Sequence, residues 1–178
     1  MDRRGRRDED PPDESLGILL LPGKLEGFEL EAHARDLLSI PRVVALEPSS
    51  VRAPRFLRDA ASLRQARRLK FPGRPRLVVL YHPAQYPLAR ALLGHYEELE
   101  LWYVAPDRVT LAAAGGQASA EELLESDELA RVNARHVVAV VGDADVQDGP
   151  LRLRLRELEV ISPRAFVPVV PSRRSRRL

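Results

Sequence analysis

The chain has 178 residues, 44% hydrophobic and 30% charged, with a formal net charge of +2. That is the composition of one ordinary globular domain, which buries about two thirds of the surface its unfolded chain exposes. Cysteine is absent, excluding a disulfide framework, a thiolate nucleophile and Cys-ligated zinc or iron–sulfur chemistry.

Residues 1–14 interleave Arg3, Arg4, Arg6 and Arg7 with Asp8, Glu9, Asp10 and Asp13 around Pro11-Pro12. With nothing apolar to offset ordering entropy, this reads as a disordered charged tail. The apolar run that follows is too short for a signal peptide, and no stretch approaches the about 18 apolar residues of a membrane span, so a cytoplasmic protein without a membrane span is expected. Residues 15–170 read as a single Rossmann-like domain. Residues 171–178 form a basic tail carrying Arg173, Arg174, Arg176 and Arg177. Only Lys24 and Lys70 are lysines, but the many arginines are interspersed with 26 acids, which argues for solvated faces and against nucleic acid as a partner.

Six apolar runs are too short for helices and rich in β-branched residues: 16–21, 43–46, 77–81, 99–104, 137–141 and 165–169. Continuous rather than alternating hydrophobicity predicts strands buried on both faces of a parallel sheet. Helical spacing fills the intervals. Leu30, Ala34, Leu37 and Leu38 form one stripe, and Leu88, Ala89, Leu92, Leu93 and Tyr96 another. Residues 58–69 and 121–132 are also expected to be helical, the second with Ser119 as N-cap. The alternation Leu151, Leu153, Leu155 fits a strand, but 151, 155 and 158 share a helix face, and Pro150 suits a first helical turn. A helix is expected there. The whole predicts an α/β fold, a Rossmann-like, doubly wound, mostly parallel six-stranded sheet, most simply in the order 3-2-1-4-5-6.

Ligands of such sheets bind outside the carboxyl ends of the strands, which directs attention to the loops. After the first strand, Gly23 and Gly27 permit close backbone approach and Lys24 offers a cation to an anion. The spacing is neither G-x-G-x-x-G nor a P-loop, so no dinucleotide or other cofactor is expected; a plain glycine turn is the alternative. After the third strand, His82 stands where a neutral imidazole could accept a proton from a ligand hydroxyl, or could hydrogen-bond neighbouring backbone. Gln85 and Tyr86 follow as hydrogen-bonding candidates. His33, His95 and His136 read as structural or surface residues. Asp143-x-Asp145 resembles a metal site only superficially, and no metal is expected.

Several phrases form a set: Arg42-Val-Val-Ala-Leu-Glu-Pro48, Arg64-Gln-Ala-Arg-Arg-Leu69, Val78-Val-Leu-Tyr-His-Pro83 and Gln85-Tyr-Pro-Leu-Ala-Arg-Ala91, followed by Arg135-His-Val-Val-Ala-Val140 and Ala165-Phe-Val-Pro-Val169. Together they resemble the N-terminal, acceptor-side domain of bacterial GT-B type glycosyltransferases. The resemblance implies a nucleotide-sugar donor, an acceptor of unknown identity, His82 as catalytic base and Gly23, Lys24 and Gln85 as substrate-binding residues. It also implies a donor-binding domain or subunit, because the sequence stops where the second domain would begin. The alternative is a non-catalytic Rossmann-like ligand-binding or assembly protein.

Overall fold

The computed structural model describes residues 15–21, 30–47, 55–106, 119–141 and 145–158. Five strands run parallel: β1 (Ser15–Leu20), β2 (Val43–Leu46), β3 (Arg74–Leu80), β4 (Glu100–Ala105) and β5 (His136–Val141). A two-residue strand, β6 (Asp145–Val146), pairs antiparallel with β5. The helices are α1 (Glu31–Leu37), α2 (Arg55–Arg68), α3 (Tyr86–Leu93), α4 (Ala120–Asn133) and α5 (Gly149–Glu157). The sixth strand expected at residues 165–169 lies outside the described residues.

The sheet order is β2-β1-β3-β4-β5-β6, which corrects the expected 3-2-1-4-5-6. The reason lies in the second strand. It is four residues long, its Ala45 is exposed and its Leu46 half-buried, so it suits an edge. β1 is buried at every position, and Leu77 to Leu80 of β3 have no solvent exposure. The two most enclosed strands therefore pair in the interior, with Leu20 beside Leu80. The chain crosses from the β2 edge over β1 to place β3, and the strand order reverses between β1 and β3.

Side-chain alternation along the strands builds two cores. Leu19, Leu77, Val79, Trp102 and Val104 meet Leu30, Ala34 and Leu37 of α1 and Leu151, Leu155 and Leu158 of α5 and its end on one face. Ile18, Leu20, Val78, Leu80, Leu101 and Tyr103 meet Ala66 of α2, Leu88, Ala89 and Leu92 of α3 and Ala130 of α4 on the other. This placement of α1 and α5 opposite α2, α3 and α4 is what right-handed crossovers require when the order reverses after β2.

Local signals act as their chemistry dictates. Ser119 caps α4, accepting from the Glu122 N–H while the Glu122 carboxylate accepts from the Ser119 N–H, a complete capping box. Pro150 sits in the first turn of α5, where its missing N–H costs nothing. α5 is clamped at its far end: the Arg42 guanidinium, buried before β2, donates to the Leu158 carbonyl at 3.1 Å. Arg42 holds left-handed backbone, φ 64°, at a cost of about 1–2 kcal/mol, and its carbonyl receives the Gly17 N–H at 3.0 Å.

Gly17 lets Leu155 of α5 lie close against β1. A Cβ added there would stand 2.7 Å from Leu155 Cδ2, and Leu155 is fully buried. Gly17→Val is therefore expected to destabilise the fold by about 1–3 kcal/mol through overpacking. Urea denaturation checks this: Leu155→Ala should cost less in the Gly17→Val background than in the parent, and additive costs would contradict the close approach.

Candidate functional site

Strand order reverses between β1 and β3, and in open parallel sheets ligands bind outside the carboxyl ends of the strands at such a reversal. β3 delivers Tyr81, His82 and, through the 3₁₀ turn Pro83–Gln85, Gln85 to that edge. Tyr81 joins the core on the α1 and α5 face, whereas Tyr86 joins the core on the face of α2, α3 and α4. The end of β3 thus feeds polar groups toward both sides of the sheet. The segment after β1 that contains Gly23 and Lys24 lies outside the described residues, as does Asp143.

His82 has extended backbone and caps the turn: its Nδ1 accepts the Ala84 N–H at 3.2 Å. This is the backbone hydrogen bond that the sequence left open as an alternative. Burial holds the imidazole below its ordinary pKa, so the ring is neutral at pH 7. With Nδ1 accepting, the neutral ring carries its proton on Nε2 and presents a donor. To act as a base at Nε2, His82 would have to release the Ala84 contact and change tautomer.

Gln85 is 3% exposed, and neither its side-chain oxygen nor its side-chain nitrogen has a hydrogen-bond partner. An unmet buried carboxamide costs about 1–3 kcal/mol, and such groups are uncommon in folded chains. The turn that carries Gln85 packs against α4. Toward the same helix comes Arg58 of α2, whose Nη2 pairs with Glu122 at 2.7 Å while its buried Nε has no partner. Each residue thus keeps unmet polar atoms beside α4: the carboxamide an acceptor and a donor, the guanidinium one N–H donor.

Among the described residues the other buried side-chain polar groups are satisfied. Tyr81 stands 3.2 Å from His33 Nδ1, and His33 Nε2 stands 2.8 Å from Asp148 Oδ2. Because the Asp148 carboxylate can only accept, Nε2 of His33 donates to it, which leaves Nδ1 of the neutral ring to accept a hydrogen bond from the Tyr81 hydroxyl. Arg152 closes the chain, with Nε 2.5 Å from Asp148 and Nη1 2.5 Å from Asp36. Burial, reinforced by the Asp148 charge, raises the Tyr81 phenol far above its ordinary pKa. The row has the order of a hydroxyl–imidazole–carboxylate triad, but a fully buried phenol with a raised pKa is no nucleophile. It ties β3 to α1 and α5.

On the opposite face Tyr103 donates to Asp127 at 2.7 Å, and Arg131 Nε donates to the other carboxylate oxygen at 2.9 Å. Burial and the Asp127 contact both raise the Tyr103 phenol. The remaining histidines are peripheral: His136 lies against Trp102 and His95 against Tyr96.

Sequence spacing thus located His82 and Gln85 at one turn and read His33 as structural, but it did not identify the His33 partners Tyr81 and Asp148, nor Arg58. The signal for His33 was present. It lies three residues after Leu30 and four before Leu37, on the buried stripe of α1. No protein-family model matches the chain, and no match was found among curated proteins or solved structures.

Two predictions test this geometry. His33→Leu removes both the Nδ1 contact to Tyr81 and the Nε2 contact to the Asp148 carboxylate and is expected to cost about 1–3 kcal/mol in urea denaturation, with unchanged stability the contrary result. For His82, the folded pKa lies below the unfolded value of about 6.5. The unfolded chain then binds more protons, so stability falls as pH drops from the unfolded value through the folded one. His82→Gln should flatten that part of the stability–pH curve, and an NMR-titrated His82 pKa above the unfolded value would contradict the assignment.

Proposed function

We propose that this chain binds a small, polar, oxygen-rich ligand at the carboxyl edge of β3, beside β1. The observation that carries the reading is the carboxamide of Gln85, enclosed at 3% exposure with both polar atoms unpartnered. A hydroxyl group of a ligand can accept from its nitrogen and donate to its oxygen at once. The location agrees with the general placement of ligands in doubly wound sheets, at the point where strand order reverses. The Arg58 Nε and the His82 Nε2–H supply further donors.

A narrower reading assigns the ligand as the sugar-containing acceptor of a GT-B-like transferase. It is favoured by the pairing of an imidazole with the carboxamide in one turn, together with the phrases that resemble such enzymes. In this reading His82 changes tautomer on binding and takes the acceptor proton, while a nucleotide-sugar donor is held by a second domain or subunit. Gly23 and Lys24 belong to this reading as residues of the segment that follows β1 in the sequence. The reading distinguishes itself by turnover: adding the donor-binding partner creates sugar transfer that His82→Ala lowers, whereas a binding protein saturates without product.

Gln85→Met tests the common core of both readings. Replacing the unmet amide by an apolar group of similar length is expected to raise stability by about 1 kcal/mol in urea denaturation. The same substitution should weaken binding at least about tenfold, as losing a buried hydrogen-bonding pair does. Thermal-shift and calorimetric titration with free sugars, nucleotide sugars and sugar phosphates provide the readout. A destabilised variant together with no response of the parent chain to any of these compounds would remove the proposal.

A further inference from the structure

α2 is the least buried helix of the fold, with Ala66 its one buried residue. Phe56 is 68% exposed, Leu57 46% and Leu63 43%. At about 100° per residue, Phe56, Leu57, Ala60, Leu63, Arg64, Arg67 and Arg68 fall within one arc of about 140°, whose centre lies about 130° from Ala66. All of them are exposed. Arg55 and Arg58 lie outside that arc, turned toward α4, where they pair with Glu125 and Glu122. Asp59, the one acid of α2, lies beyond its edge. Arg64, Arg67 and Arg68, and exposed Lys70 just past the helix, pair with no carboxylate among the described residues. The outward face of α2 therefore carries only apolar groups and unpaired cations.

We propose that this face is a docking surface for an anionic phospholipid bilayer, with α2 lying in the plane of the headgroups. The charge distribution selects this occupant. A second copy of the chain packed about a twofold axis would set Arg64, Arg67 and Arg68 against their own images. A nucleic-acid backbone would use the cations but leave Phe56, Leu57 and Leu63 against phosphate and water. At a bilayer the apolar side chains enter the acyl boundary while the guanidinium groups stay among the headgroup phosphates. No described helix is long and apolar enough to cross a membrane, so the association is peripheral.

The test is co-sedimentation of the full chain with vesicles of phosphatidylcholine, with and without phosphatidylglycerol. Binding is expected to the anionic vesicles alone and to weaken at high salt. Each arginine near an anionic surface contributes about fivefold in partitioning, so Arg64→Gln with Arg67→Gln should lower it about 25-fold. Phe56→Ser with Leu63→Ser should also release the protein, and both pairs are exposed enough to leave the circular dichroism spectrum unchanged. Replacing Arg173, Arg174, Arg176 and Arg177 by glutamine separates the helix from the basic tail. Three results would overturn the proposal: no binding to anionic vesicles, loss of binding on the tail substitutions with none on the α2 pairs, or binding to an oligonucleotide that needs Arg64 and Arg67 but not Phe56 and Leu63.

Discussion

The pairing of β1 with β3 is the constraint on which the rest of the structure depends. Both strands are enclosed on both faces, and their register sets Leu20 beside Leu80. Once these strands are neighbours, β2 is driven to the edge, α1 and α5 are committed to one face and α2, α3 and α4 to the other. The end of β3 then stands at the reversal of strand order. Gly17 admits the pairing from the other direction, since the missing side chain lets Leu155 of α5 rest directly on β1.

The buried polar groups divide by what they accomplish. Tyr81, His33, Asp148, Arg152 and Asp36 form a connected row, as do Tyr103, Asp127 and Arg131. Each of these rows joins a strand to the helices covering it, and satisfied networks of this kind specify how helices sit on a sheet. Gln85 and Arg58 break the pattern: both carboxamide atoms of Gln85 and the Arg58 Nε are buried without partners among the described residues, while the Arg58 Nη2 pairs with Glu122. The contrast within one small fold separates groups that hold the structure from the groups on which the proposed ligand site is built.

Much of the architecture was legible in the sequence because enclosed parallel strands leave a distinctive trace. The runs around Leu16 to Leu21 and Leu77 to Tyr81 lack polar alternation, and Ser119 and Pro150 mark helix starts by chemistry that acts locally. Strand order was not legible from the run lengths alone, since it depends on which side of β1 the second crossover returns to. The short β2 with its exposed Ala45 held a clue to the edge position. Part of the site was legible too. His82 and Gln85 follow a buried strand directly, where chemistry collects in such folds. That Gln85 is enclosed, and that His33 meets both Tyr81 and Asp148, are consequences of α4 and α5 folding back over the sheet, with 115 residues separating His33 from Asp148.

The placement of the ligand site rests on the adjacency of β1 and β3, and backbone NMR reads that adjacency directly. Cross-strand nuclear Overhauser contacts are predicted between residues 17–20 and residues 77–80, with none between β1 and β4. Contacts joining β1 to β4 would restore the order 3-2-1-4-5, move the reversal of the sheet away from β3 and contradict the site built on Gln85.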